Sequence, residues 1–89
     1  MRRVVFTRRF EKELVEFTAS HPELKKKVKA TMTAIVADPF DARLKTHKLS
    51  GRLKECLASN ITYKYRIIFL SNPDEVRFID IGSHDEVYW

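Results

Sequence analysis

The apolar residues change period once along the chain, and that change restricts the fold more than any other feature. Phe10, Leu14 and Phe17 fall at i, i+4 and i+7 with charged residues between them, the stripe of an amphipathic helix. Leu24, Val28, Met32, Ile35 and Val36 form a second helical stripe. From Ile61 the period is two: Ile61, Tyr63, Tyr65, Ile67 and Phe69 alternate with Thr62, Lys64 and Arg66, and the other face turns apolar at Ile68 and Leu70. Thr7 is placed to cap the first helix. Ser20 with Glu23 forms a capping box for the second, Pro22 fits its first turn, and Asp38-Pro39 ends it. Two helices on a tight link predict an antiparallel hairpin whose Lys25, Lys26, Lys27 and Lys29 face mostly outward. Val4-Val5-Phe6 reads as a short first strand. Lys54 to Asn60 reads as a further strand, and Val76 to Ile81 as the return strand after the Ser71–Glu75 turn. The expected class is α+β, in the order β-α-α-β-β-β. The helical hairpin lies on one face of a mainly antiparallel sheet, and Lys64 and Arg66 point to the open face.

At 89 residues the chain is expected to form one domain, 1–89. Its single cysteine, Cys56, excludes an internal disulfide and a cysteine-based zinc finger, and fits a reducing cytoplasm. The N-terminus, Met1-Arg2-Arg3-Val4-Val5-Phe6-Thr7-Arg8-Arg9, fits neither a secretory signal nor a membrane span. Charge is uneven. Residues 1–54 hold fourteen basic and six acidic residues (+8), residues 55–89 three and six (−3). From Arg43 to Lys54 there are five basic residues, one histidine and no acid. A segment of that density suits an anionic partner such as nucleic acid, or simply a solvated surface.

The candidate chemistry rests on few groups. His21, beside Pro22, reads as a surface residue of the helix junction. His47 lies within the basic segment, and His84 follows Gly82-Ser83. No pair has metal-ligand spacing, so neither a metal nor a cofactor is indicated. Cleavage of RNA requires a proton taken from a 2′-hydroxyl, a proton given to a 5′-oxygen, and neutralisation of charge on the phosphate. Imidazole suits either transfer, and arginine suits the phosphate. Taken singly, His47 and His84 are residues more often found as ordinary surface groups.

Three local words in order carry a resemblance: His47-Lys48-Leu49-Ser50-Gly51, the arginine-led apolar strand Tyr65-Arg66-Ile67-Ile68-Phe69, and the terminal Gly82-Ser83-His84-Asp85-Glu86-Val87-Tyr88. Together they resemble the RelE/ParE superfamily of bacterial toxins, and within it the YafQ-like mRNA interferases, over nearly the whole chain. The resemblance implies a RelE-like fold and a cytoplasmic, ribosome-dependent endoribonuclease that cuts translated mRNA without a metal and is held inactive by a cognate antitoxin. It implies that His47, Arg66, His84 and Tyr88 are catalytic, with Arg66 on the scissile phosphate. Tyr88 would stack on a base or orient the 2′-hydroxyl, unless it packs with Trp89 over the sheet edge. Lys48, Arg52 and Lys54 fall in the stretch expected to contact RNA.

The chain departs from the family's pattern where the strand leading to the catalytic face often carries acids or histidine. Here stand Ala58, Asn60 and Lys64. Asn60 can donate a hydrogen bond and Lys64 can hold a phosphate, so both join the expected RNA contacts, but neither readily exchanges a proton at neutral pH. Two alternatives therefore stay open: a ParE-like gyrase-inhibiting toxin, and a non-catalytic RNA-binding domain of the same fold.

Overall fold

A computed structural model describes residues 2–51 and 54–83. Strand β1 (Arg3–Phe6) leads into helix α1 (Arg8–Ser20). A 3-10 turn (Pro22–Leu24) joins α1 to helix α2 (Lys25–Ala37), and a second 3-10 turn (Ala42–Leu44) precedes strand β2 (His47–Lys48). Strands β3 (Leu57–Asn60), β4 (Tyr65–Ser71) and β5 (Glu75–Ser83) complete a five-stranded sheet ordered β1-β5-β4-β3-β2. The β1–β5 pair is parallel and the other three pairs are antiparallel. The expected α+β class holds: two helices pack on a mixed, mainly antiparallel sheet.

Thr7 does two things at the first junction. Its Oγ1 accepts the Phe10 N–H at 3.1 Å, capping α1, and donates to the Phe78 carbonyl at 2.9 Å, tying the end of β1 to β5. The second junction differs from expectation. Ser20 is the last residue of α1 and caps nothing. The His21 N–H donates to the Phe17 carbonyl, and the His21 carbonyl accepts the Leu24 N–H. The backbone of His21 thus closes one helix and opens the 3-10 turn, with Pro22 at its first position, where a missing N–H leaves no bond unmade.

The main core lies between the helices and the sheet. Phe10, Phe17, Val28 and Ile35 meet Ile67, Phe69, Val76, Phe78 and Ile81 there. Phe10 and Phe78 pack with ring centroids 5.1 Å apart, and Phe6 stacks on both, at 5.8 and 5.6 Å. A smaller cluster of Cys56, Ala58 and Ile68, flanked by Leu49, Leu70 and Ile79, lies on the sheet face away from the helices. That face is therefore not wholly open, as the sequence had suggested; its middle is apolar and Ile68 is fully buried.

Two strands begin later than the apolar pattern implies. The expected Lys54–Asn60 strand starts at Leu57, because Lys54 and Glu55 form a turn in which the Lys54 N–H donates to the Gly51 carbonyl. The alternation from Ile61 is broken at Thr62. Its Oγ1 accepts the N–H groups of Lys64 and Tyr65, while the Tyr65 carbonyl accepts those of Ile61 and Thr62. These bonds bend residues 61–64 into a hairpin tip, so β4 starts at Tyr65 and Tyr63 is exposed rather than buried.

β5 carries a bulge. Ile68 pairs with Asp80 but Phe69 pairs with Phe78, which leaves Ile79 as the extra residue. Beside it the buried Asp80 carboxylate accepts hydrogen bonds from Arg9 Nε at 3.1 Å and the Ile81 N–H at 2.9 Å, and Arg9 Nη2 lies 3.0 Å away. This bridge fixes the first turn of α1 to the strand. Arg9→Ala leaves a buried carboxylate with its backbone donor alone and is expected to destabilise the protein by about 2–3 kcal/mol in urea unfolding, with Arg9→Lys recovering only part.

Candidate nucleic-acid site

The sheet register decides which predicted site residues share a face. His47 pairs with Ala58 and Ala58 with Ile68, while Asn60 pairs with Arg66 and Arg66 with Gly82. Directly paired residues project to the same side of a sheet, as do residues two apart on one strand. Ala58 and Ile68 belong to the cluster away from the helices. His47, Asn60 and Arg66 are therefore on that same face, at the end where its apolar middle gives way to polar groups. Gly82, the β5 neighbour of Arg66, has no side chain and is buried. With strands about 4.8 Å apart and about 3.3 Å per residue, the His47 and Arg66 backbones stand about 12 Å apart. A ribose–phosphate unit fits between side chains of their length.

His47 reaches this face on a backbone fixed just upstream. Asp41 caps the 3-10 turn by accepting the Arg43 N–H at 2.9 Å, and pairs with the Arg43 guanidinium at 3.1 and 2.8 Å. The Arg43 side chain, then its backbone N–H, hold the Asp41 carboxyl at a pKa of about 2. Lys45 then turns the chain in the left-handed region at φ 51°. His47 Nδ1 lies 3.1 Å from the Lys45 carbonyl. A carbonyl only accepts, so Nδ1 carries the proton in the neutral ring. Thr46 Oγ1 lies 2.6 Å from Ser59 Oγ and 2.5 Å from the Pro39 carbonyl, pinning this segment to β3.

Asn60 Oδ1 is buried and, among the described residues, has no hydrogen-bond partner. An unmet acceptor of this kind commonly marks a place for water or a ligand donor. Three expected contacts lie elsewhere. Lys48 pairs with Leu57, a residue of the main core, and so projects to the other side of the edge strand from His47. Lys54 is exposed in the turn before β3. Lys64 is at the hairpin tip rather than on the strand beside Arg66, with Nζ 5.6 Å from the centre of the Tyr65 ring. Arg52, His84 and Tyr88 lie outside the described residues; the last described one, Ser83, pairs with Tyr65 immediately beside Arg66. His21 is structural: its ring packs 4.6 Å from Phe17 and 4.8 Å from Tyr65.

Among the described residues no cluster of three histidine, cysteine or carboxylate side chains is placed to hold a metal, and no helix is long and apolar enough to cross a membrane. At the opposite edge of the sheet, β1, α1 and α2 enclose a groove of about 720 Å³ floored by Val4, Phe6, Leu14, Val15, Met32 and Val36. Lys25, Lys26 and Lys29 line its rim. Sequence patterning missed this groove because Val4, Phe6 and Val15 read simply as members of a strand and a helix.

A family model described as "Bacterial toxin of type II toxin-antitoxin system, YafQ" matches residues 2–88. The chain belongs to the YafQ family of toxins. Solved structures agree on the fold. YafQ from E. coli strain BL21(DE3) is 20% identical, with a TM-score of 0.86 and 100% of each chain covered. A chain from the E. coli DinJ-YafQ complex, also 20% identical, with 100% of this chain and of that chain covered, gives 0.84. A chain from the Staphylococcus aureus YoeB-YefM complex, 14% identical over 94% of this chain and 98% of its own, gives 0.75. A comparison with curated proteins gives no match.

In this YafQ-family toxin the hairpin tip should depend on one hydroxyl. Thr62→Val removes the acceptor for two N–H groups and is expected to cost about 1 kcal/mol in urea unfolding, with faster amide hydrogen exchange at Lys64 and Tyr65.

Proposed function

We infer that this toxin is a cytoplasmic, ribosome-dependent endoribonuclease that cleaves translated mRNA without a metal. The observation that carries the reading is the register that gathers His47, Asn60 and Arg66 onto one polar end of the sheet face away from the helices. The family match supports it. One imidazole takes the 2′-hydroxyl proton as that oxygen attacks the adjacent phosphorus. The bond to the 5′-oxygen breaks, and that oxygen receives a proton from the second acid. The products are a 2′,3′-cyclic phosphate and a 5′-hydroxyl.

His47 and His84 are the two proton-transfer groups, and the pair needs no metal. Arg66 faces the phosphate and offsets the negative charge that grows on its equatorial oxygens. Asn60 supplies a hydrogen bond to the same nucleotide, and Tyr88 stacks on a base or orients the 2′-hydroxyl. Arg52, Lys48 and Lys54 contribute long-range attraction for the mRNA backbone. Because Ala58 and Asn60 bring no further acid or base to the strands, turnover relies heavily on substrate held in register by the ribosome.

The test is mapping of 5′ ends on a reporter mRNA in a purified translation system. Cuts are expected only when ribosomes are present. They should fall about 10²–10⁴-fold for His84→Ala or His47→Ala, and about 10²–10³-fold for Arg66→Ala. Intact mRNA with translation blocked contradicts the nuclease reading in favour of an RNA-binding domain. Intact mRNA with translation unaffected points to a gyrase-inhibiting toxin.

The protein partner is a cognate antitoxin, and its apolar segment lies in the groove between β1 and the helices. Val15, 69% exposed, and Phe6, 45% exposed, leave apolar surface there for an amphipathic helix, and the lysine rim suits acidic flanks on that helix. Val15→Asp is expected to weaken toxin–antitoxin binding at least tenfold in calorimetry while leaving mRNA cleavage by the free toxin unchanged.

A further inference from the structure

Tyr63 stands at the tip of the β3–β4 hairpin with 90% of its surface in water, whereas Phe10, Phe69 and Phe78 are fully buried. The tip that presents it is well tied down. Thr62 Oγ1 accepts two backbone N–H groups, the Tyr65 carbonyl accepts two more, and Ile61 is buried beneath. A rigid ring on a fixed turn loses little freedom when something packs on it. The tip closes directly beyond the Asn60–Arg66 pair, so it borders the polar end of the candidate site. Between Cys56 and Pro73 the chain carries Lys64 and Arg66 and no acid. An exposed aromatic ring beside a cation, next to a phosphate-binding face, is the combination that single-stranded RNA uses for sequence-tolerant contacts.

We propose that Tyr63 is a stacking platform for an unpaired RNA base next to the nucleotide held at His47, Asn60 and Arg66, with Lys64 contacting the adjoining phosphate. The proposal rests on the RNA-cleaving reading and adds a base contact that the proton-transfer groups do not supply. It also gives Lys64 a role suited to its place at the tip.

The test is fluorescence anisotropy of the full-length toxin with a short labelled single-stranded oligoribonucleotide, repeated over a range of salt concentrations. Tyr63→Ala is expected to bind about tenfold more weakly with an unchanged salt slope, and Tyr63→Trp to bind as wild type. Lys64→Ala should lower the slope by about one. An oligonucleotide lacking one base at the stacking position should bind wild type and Tyr63→Ala alike. The thermal midpoint of Tyr63→Ala should match wild type, because the ring buries little. Equal RNA affinity of Tyr63→Ala and wild type overturns the platform and leaves the nuclease reading standing. No RNA binding by the wild type, even at low salt, also overturns the platform, while the ribosome-dependent nuclease reading stands or falls on the cleavage mapping.

Discussion

Strand β4 has to be covered on both sides. Ile67, Ile68 and Phe69 are consecutive and all fully buried, so successive side chains point to opposite faces and each face needs a cover. The helical hairpin supplies the larger one, through Phe10, Phe17, Val28 and Ile35. On the other side Ile68 joins Cys56 and Ala58 in a cluster of its own. Only the ends of β4 remain for polar work, which is why Arg66, one residue in from the start of the strand, is the place where that face turns polar.

Much of this was legible from residue spacing. The helical stripes, the Thr7 cap, the Asp38-Pro39 stop and the Ser71–Glu75 turn all follow from local rules and appear as expected. The failures have separate physical causes. Ser20 and Glu23 have the spacing of a capping box, yet packing of His21 against Phe17 and Tyr65 places the junction on the backbone of His21. Thr62 looked like the polar step of an alternating strand, but its hydroxyl captured two backbone donors and made a turn. β2 has two residues, too few to show any period. Asp80 is a charged residue within an apolar strand, and its partner Arg9 lies 71 residues away in the chain.

The candidate site divides in the same way. Residue types pointed to His47 and Arg66, since imidazole and guanidinium suit phosphodiester chemistry. What spacing could not supply is register, and register joins Asn60 to these two while sending Lys48 to the other side of an edge strand. The same topology sets the groove between β1 and the helices at the far edge of the sheet from His47. A partner can therefore hold the protein by that groove without covering the sheet end that carries His47, Asn60 and Arg66.

That separation makes the central assignment directly measurable. In a ¹⁵N-labelled protein, titration with a short oligoribonucleotide made uncleavable by 2′-deoxy substitution at the cut site should shift the amides of His47, Asn60, Arg66 and Gly82. The amides of Val15, Met32 and Val36 should stay fixed. Shifts concentrated on Lys25–Lys29 and the groove, with the β3–β4 end unmoved, would contradict the assignment of the polar sheet end as the RNA site.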